Sequence, residues 1–293
     1  MFSQYFGNYL LEKGKITEEQ FSSCMDYMKA NRVKLGLIAE AEGLLTRAQA
    51  NELNRLQMQT DKRFGDLAVE KGYLTEGDIT NLLHMQGNPY LIFVQALEES
   101  QLLSREEIDS LLDEYQKESR LANTDIAALK VGNLDELINF FVPTGNEMAS
   151  GLYGLALRNI IRFISAYIRF EGLTKVTNYS AKNVAYQCTE GAFDGFIAMA
   201  SQKEEILSIA DGYAGEFFDS VNEDALDAVS EFINCINGLF ATELSYRGTS
   251  IDMIPPQYGH DINLASDTEF YVLPLYILRK RVDLIIGVEC KLQ

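Results

Sequence analysis

Four segments near the start of the chain align at a constant step: "FGNYLLEKGKITEEQF" from Phe6, "LGLIAEAEGLLTRAQA" from Leu35, "FGDLAVEKGYLTEGDI" from Phe64 and "FVQALEESQLLSREEI" from Phe93, each beginning 29 residues after the last. Thr17, Thr46, Thr75 and Ser104 share that step, and three residues after them stand Gln20, Gln49, Asp78 and Glu107. Such a pair can form a capping box, in which the hydroxyl accepts an N–H of the first helical turn while the later side chain returns to the cap's own N–H. Gly14, Gly43 and Gly72 stand where the short helix before each cap would end in a left-handed residue. The predicted unit is a helical hairpin, present four times. A unit this short cannot bury an apolar face alone, so the hairpins are expected to stack into one all-α repeat domain over residues 1–118.

The 29-residue period then stops. "ESRLANTDIAALKVGNLD" is polar and lacks a capped apolar pattern, which predicts a linker over 119–134. From 135 to 293 the texture changes. A helix is expected in "NEMASGLYGLALRNIIRFISAYIRF", strands in "TKVTNYSAKNVAYQC" and "FDGFIAMAS", helices over roughly 203–218 and 222–240, and strands again in "TELSYRGTSIDMIPP" and "TEFYVLPLYILRKRVDLIIGVECK". Ser220 with Glu223 is the expected capping box of the second of those helices. The chain is therefore read as multi-domain: an all-α helical-hairpin repeat domain followed by an α/β domain with long helices on a mainly antiparallel sheet.

A length of 293 residues accommodates two such domains, and 47% hydrophobic residues suffice to build their cores. A net charge of −18 disfavours a nucleic-acid backbone or an anionic membrane as the general partner. Cys24, Cys188, Cys235 and Cys290 are scattered without a CxxC, and His84 and His260 stand alone, so neither a metal site nor a disulfide framework is expected. "MFSQYFGNYLLEKG" lacks the basic-then-apolar order of a signal peptide, and the most apolar helical stretch is interrupted by Arg158, Arg162 and Arg169. The expectation is a cytoplasmic protein without membrane insertion.

The middle two repeats are set apart by charge. Residues 29–63 hold seven Lys or Arg against four acids, a local +3. "KLGLIAEAEGLLTRAQANELNRLQ" (34–57) and "RFGDLAVEKGYLTEGDITNLLHMQ" (63–86), separated by "MQTDK", resemble the paired motif of the MshEN type, the cyclic-di-GMP-binding N-terminal domain of type II secretion and type IV pilus ATPases. The resemblance implies cyclic-di-GMP as a ligand, with Lys34, Leu35 and Gln57 from the first unit and Arg63, Phe64, Asp66 and Gln86 from the second. An Arg fork and a Gln amide suit a guanine edge. Lys34 stands where the motif has Arg, Phe64 where it has Leu, and Ala50 and Asn54 where it has two leucines. A binding pair and a copy that has lost binding both remain open.

In the 222–240 helix, a step of 100° per residue gathers Leu226, Val229, Ile233, Ile236 and Phe240 in one sector, which must face the sheet. Asp227, Glu231 and Asn234 share the opposite sector. A solvated helix face would look the same, and Glu136 with Asn139 repeats the Glu-x-x-Asn spacing without an Asp four residues earlier. The order of elements, the stripe with Gly238 after it and the Pro255-Pro256 segment together resemble the CheC/CheX/FliY chemotaxis phosphatases, CheX most closely, over about residues 135–293. The resemblance implies dephosphorylation of a CheY-like response regulator. Asn234 would position the attacking water, Glu231 would anchor to the partner's lysine, and Asp227 would be an accessory rim contact. It implies no cofactor on this chain, Mg²⁺ on the partner, and a homodimer. Two rival classes remain open: a non-enzymatic cyclic-di-GMP-responsive adaptor, and a docking protein.

Overall fold

The structure is a computed structural model that describes residues 1–60 and 62–293. Asp61, which belongs to the expected five-residue spacer, lies outside the described residues. The chain forms two units, Phe2–Gly132 and Asn133–Gln293, the latter together with Met1.

The first unit is helical. Its elements are α1 (Phe2–Glu12), α2 (Glu18–Ala30), α3 (Leu35–Ala41), α4 (Arg47–Gln59), α5 (Phe64–Glu70), α6 (Glu76–His84), α7 (Pro89–Glu99), α8 (Arg105–Ser119) and α9 (Asn123–Val131). Thr17, Thr46, Thr75 and Ser104 cap α2, α4, α6 and α8, their hydroxyls accepting the N–H of Gln20, Gln49, Asp78 and Glu107 at 3.1 to 3.3 Å. Each of those side chains accepts the cap's own N–H at 2.8 Å. Helix α7 is apolar on nearly every side: Leu91, Ile92, Phe93, Val94, Ala96 and Leu97 are all buried, and α1, α2, α3, α8 and α9 pack around it. A helix with no polar face is stable only when surrounded in this way.

Gly14, Gly43 and Gly72 have φ of +64°, +70° and +68°. One 29-residue step beyond Gly72 is Gln101, and it too is left-handed, with φ +54°. A side chain in that region costs roughly 1 to 2 kcal/mol, offset in part because glycine has more unfolded-state freedom to lose. Gln101→Gly is therefore expected to stabilise the helical unit by about 0.5 kcal/mol, measured as a higher urea midpoint. A lower midpoint would refute the strain.

The expected linker is corrected by α9. Residues 123–131 are helical, with Ile126, Ala128 and Leu129 buried against α7 and α1. The cap position holds Ala122, which has no side-chain acceptor, and only the return bond is made, from Ala122 N–H to Asp125 Oδ2 at 2.8 Å. The usual cap residue is missing, yet tertiary burial stabilises the helix.

The second unit begins with α10 (Leu134–Phe141) and α11 (Glu147–Phe163), followed by β1 (Ile168–Phe170), β2 (Thr174–Gly191), β3 (Gly195–Ser201), α12 (Leu207–Ala214), α13 (Glu223–Tyr246), β4 (Ile251–Met253), β5 (Gln257–Ile277) and β6 (Lys280–Val288). All pairings are antiparallel, in the order β1-β5-β6-β3-β2-β4. The long strands β2 and β5 also pair with each other, so β5, β6, β3 and β2 form a closed cycle of neighbours. Side chains such as Phe196, Ala198, Phe270, Val272 and Ile285 form a core on one side of these strands. Helix α13 packs against β2, β3, β4 and β5, beside α11 on β6.

Three expectations for this unit are corrected. Helix α13 begins at Glu223 with Asn222 as its cap, Oδ1 accepting the Ala225 N–H at 2.9 Å, so Ser220 lies outside it. The helix runs on to Tyr246 rather than ending near 240, because Leu244 continues the buried stripe one turn past Phe240. His260, outside the expected strands, sits in β5 opposite Asn183 of β2.

Candidate functional site

Helix α13 is 24 residues long, and its stripe falls in the middle, away from fraying ends. Leu226, Val229, Ile233, Ile236 and Phe240 are buried, which turns Asp227 and Glu231 outward, and both are exposed. Glu231 has no hydrogen-bond or ion-pair partner among the described residues, although Tyr213 is near enough for its carboxylate to help raise that phenol, after burial and Cys235. Asn234, one turn further along the same face, is half-buried. Beside it, a Cβ built on Gly238 would meet nothing within 4 Å, so this side of the helix is open to approach.

The Asn234 side chain is held from behind. Its Oδ1 accepts from Gln187 Nε2 at 2.9 Å. Gln187 lies on β2, 1% exposed, and its Nε2 also donates to the Ile254 carbonyl at 2.9 Å. Asn237 Nδ2, likewise buried on α13, donates to Gln187 Oε1 at 2.8 Å. The residue after β4 is in turn pinned, its N–H donating to Cys188 O at 3.0 Å. Asn234 Nδ2 has no partner among the described residues and is left on the open side.

Gln187 and Asn237 were not expected from the sequence. A signal existed for each: Gln187 is a long polar residue on the helix-facing side of a strand whose alternate residues Asn183, Ala185 and Thr189 are also buried, and Asn237 falls three residues after Asn234 on the sheet-facing side of the helix.

Other chemistry-bearing groups are occupied or inert. Burial pushes the Cys24 thiol up to about 11. Burial, with Glu190 and Asp194 nearby, raises that of Cys188. Neither is an activated thiolate. Asn183 donates Nδ2 to the Lys203 carbonyl at 2.5 Å, so its Oδ1 faces His260 Nδ1 at 2.7 Å and assigns the proton to that ring nitrogen. No group of His, Cys, Asp and Glu that could hold a metal ion is found among the described residues.

In the helical unit, the seven residues of the paired motif are distributed unevenly. Phe64 is buried in the core with Leu53, Leu67 and Leu82. Gln86 donates Nε2 to the Val33 carbonyl at 3.0 Å, and Lys34 pairs with Glu99. Leu35 is half-buried, while Gln57, Arg63 and Asp66 are exposed. A cavity of about 190 Å³ in this unit is lined by Lys34 alone of the seven, together with Arg47, Asn51, Asn54, Glu98 and Arg105 among others.

No helix among the described residues is long and apolar enough to cross a membrane. Residues 184–275 match the family model described as chemotaxis phosphatase CheX, a segment that includes all of α13. No curated protein matches the chain. Among solved structures, it is similar to a CheC-like superfamily protein from Shewanella sp. PV-4, with 18% identity, TM-score 0.43, and coverage of 48% of this chain and 96% of that one. A chemotaxis protein CheX from Desulfovibrio desulfuricans aligns at 15% identity and TM-score 0.42, over 50% of this chain and 100% of that one. A chain of the CheX-CheY-BeF3-Mg²⁺ complex from Borrelia burgdorferi aligns at 17% identity and TM-score 0.38, over 48% and 97%.

Proposed function

We propose that the second unit dephosphorylates the aspartyl phosphate of a CheY-like response regulator, with α13 as the element that enters the partner's site. One observation carries this reading: an unpartnered, exposed Glu231 and the free end of a braced Asn234 amide lie one turn apart, on the open face of a helix inside the segment that matches the chemotaxis phosphatase family.

A phosphorylated receiver already clamps its phosphoryl group with a metal ion and a lysine, so catalysis needs mainly a water placed in line with the leaving oxygen. Asn234 supplies this. Its Nδ2–H donates to one lone pair of the water, and the other lone pair attacks phosphorus as the P–O bond to the aspartate breaks. The carboxylate departs with the bonding electrons, and the water's proton passes to the phosphate product. Holding the water in place replaces a search through orientations that would otherwise slow the reaction. Glu231 pairs with the receiver's lysine and sets the angle of approach. Asp227 lies one turn before it, at the rim. No nucleophile on this chain is required.

The test is the lifetime of phosphorylated receiver domains with and without the protein, followed by phosphate release. The protein is expected to shorten the lifetime of its cognate receiver by about a hundredfold or more, on the order of the gain from positioning one group. Glu231→Lys is expected to raise the half-saturating receiver concentration by about tenfold, since a like charge then faces the partner's lysine. Unchanged lifetimes across a panel of phosphorylated receivers would dispose of the phosphatase reading.

A further inference from the structure

We infer that Gln187 is a positioning residue: together with Asn237 and the Ile254 carbonyl, it determines which end of the Asn234 amide faces the partner. The kinetic part of this inference rests on the phosphatase reading; the orientation of the amide does not.

Donor and acceptor types fix the orientation of each amide. A backbone carbonyl can only accept, so the group that Gln187 turns to Ile254 O at 2.9 Å must be its NH₂. The second N–H of that same NH₂ reaches Asn234 at 2.9 Å and requires an oxygen there. Gln187 Oε1 is left facing Asn237, which must present its own NH₂, as it does at 2.8 Å. One carbonyl thus sets three amides in series. Were Asn234 to turn over, its NH₂ would oppose the Gln187 NH₂ at a residue 1% exposed, where no water competes to repair the mismatch. The result is an Asn234 whose Oδ1 points inward and whose Nδ2 points out, before any partner arrives.

The root of the series is itself restrained. Ile254 precedes Pro255, and a residue before proline is held to extended backbone. Its N–H bond to Cys188 O adds a second tie. Gln187 and Cys188 are neighbours on β2, so one strand both anchors the segment after β4 and reads its carbonyl. Amides left to rotate would present the wrong end to the attacking water for part of the time. The series removes that loss without itself touching substrate.

The experiment uses the full chain and two readouts. Selective labelling of asparagine side chains with ¹⁵N, with Asn234→Ala for assignment, reports the mobility of the Asn234 NH₂ without reference to activity. In the wild type it is expected to be as rigid as the backbone. In Gln187→Met, which keeps the length and removes the three bonds of the Gln187 amide, it is expected to become mobile. The kinetic readout is phosphate release: Gln187→Met should lower kcat by about tenfold and leave the half-saturating receiver concentration within about twofold, because Glu231 is untouched. The double variant with Asn234→Ala should lose no more than Asn234→Ala alone. If Gln187→Met does not fold, Asn237→Leu releases Gln187 Oε1 from the other side and should loosen the same NH₂.

An Asn234 NH₂ as rigid in Gln187→Met as in the wild type overturns the inference, and so does a double variant whose loss is the product of the two single losses. A wild type that leaves every phosphorylated receiver unaffected, but whose Asn234 amide is rigid and freed by Gln187→Met, supports the positioning and refutes only the phosphatase reading.

Discussion

Asn234→Ala is expected to lower kcat for phosphate release by about a hundredfold, with the half-saturating receiver concentration changed by no more than about twofold. The magnitude is that of removing one preorganised donor from a site where charge is being redistributed. The direction in kcat follows from the proposed mechanism, in which the water bond matters only as the P–O bond breaks, so that its loss would affect the transition state and not the encounter. Folding should be spared. Asn234 is half-buried, and alanine is a better helix former than asparagine, although Gln187 then loses an acceptor for one N–H. The measurement is a saturation curve of phosphate release against phosphorylated receiver, alongside a thermal melt. A variant with wild-type kcat would remove Asn234 from the mechanism.

Tyr153→Ala should have the largest effect on stability, about 3 to 5 kcal/mol, in the range found for deleting a buried aromatic ring. Tyr153 is fully buried on α11, and burial holds its phenol well above the usual range, so it stays neutral and can only serve as a hydrogen-bonded, uncharged group. Its hydroxyl donates to the Tyr271 carbonyl at 2.9 Å, tying α11 to β5. Tyr153→Phe separates the two contributions and should cost about 1 kcal/mol, the price of one unmade hydrogen bond. Urea unfolding followed by a probe in the second unit tests both. Because α11 lies beside α13, the alanine variant should also lose activity, with kcat and half-saturation failing together. Equal midpoints for the wild type and the alanine variant would contradict the burial.

Local signals were legible in the sequence, and non-local ones were not. Thr17, Thr46, Thr75 and Ser104 announced their helices because a capping box is complete within four residues. The buried stripe of α13 was legible because its period of 3.6 depends only on the helix's own sequence. Helix α9 was missed because Ala122 cannot cap and its apolar residues, Ile126, Ala128 and Leu129, are few. The end of α13 was missed because Thr242, Leu244 and Tyr246 read as strand formers, and burial of Leu244 overrode that propensity. In the paired motif, the resemblance to the MshEN type implied a ligand-binding role for Lys34, Phe64 and Gln86. The fold uses all three internally, in an ion pair, in the core and on the Val33 carbonyl. The pairing of Gln187 was illegible for another reason: nothing within a strand indicates that its polar residue lies opposite Asn234, 47 residues away.

The amides of Gln187, Asn234 and Asn237 have no ionisable group among them. Neither a carboxamide nor a peptide carbonyl gains or loses a proton anywhere near neutrality. A histidine or carboxylate in place of Gln187 would have made the aim of Asn234 depend on the acidity of its surroundings. With Gln187 in that position, the geometry is the same in mildly acid and mildly alkaline conditions. Any pH dependence of the proposed reaction would then have to arise outside these three amides, whose aim is indifferent to pH.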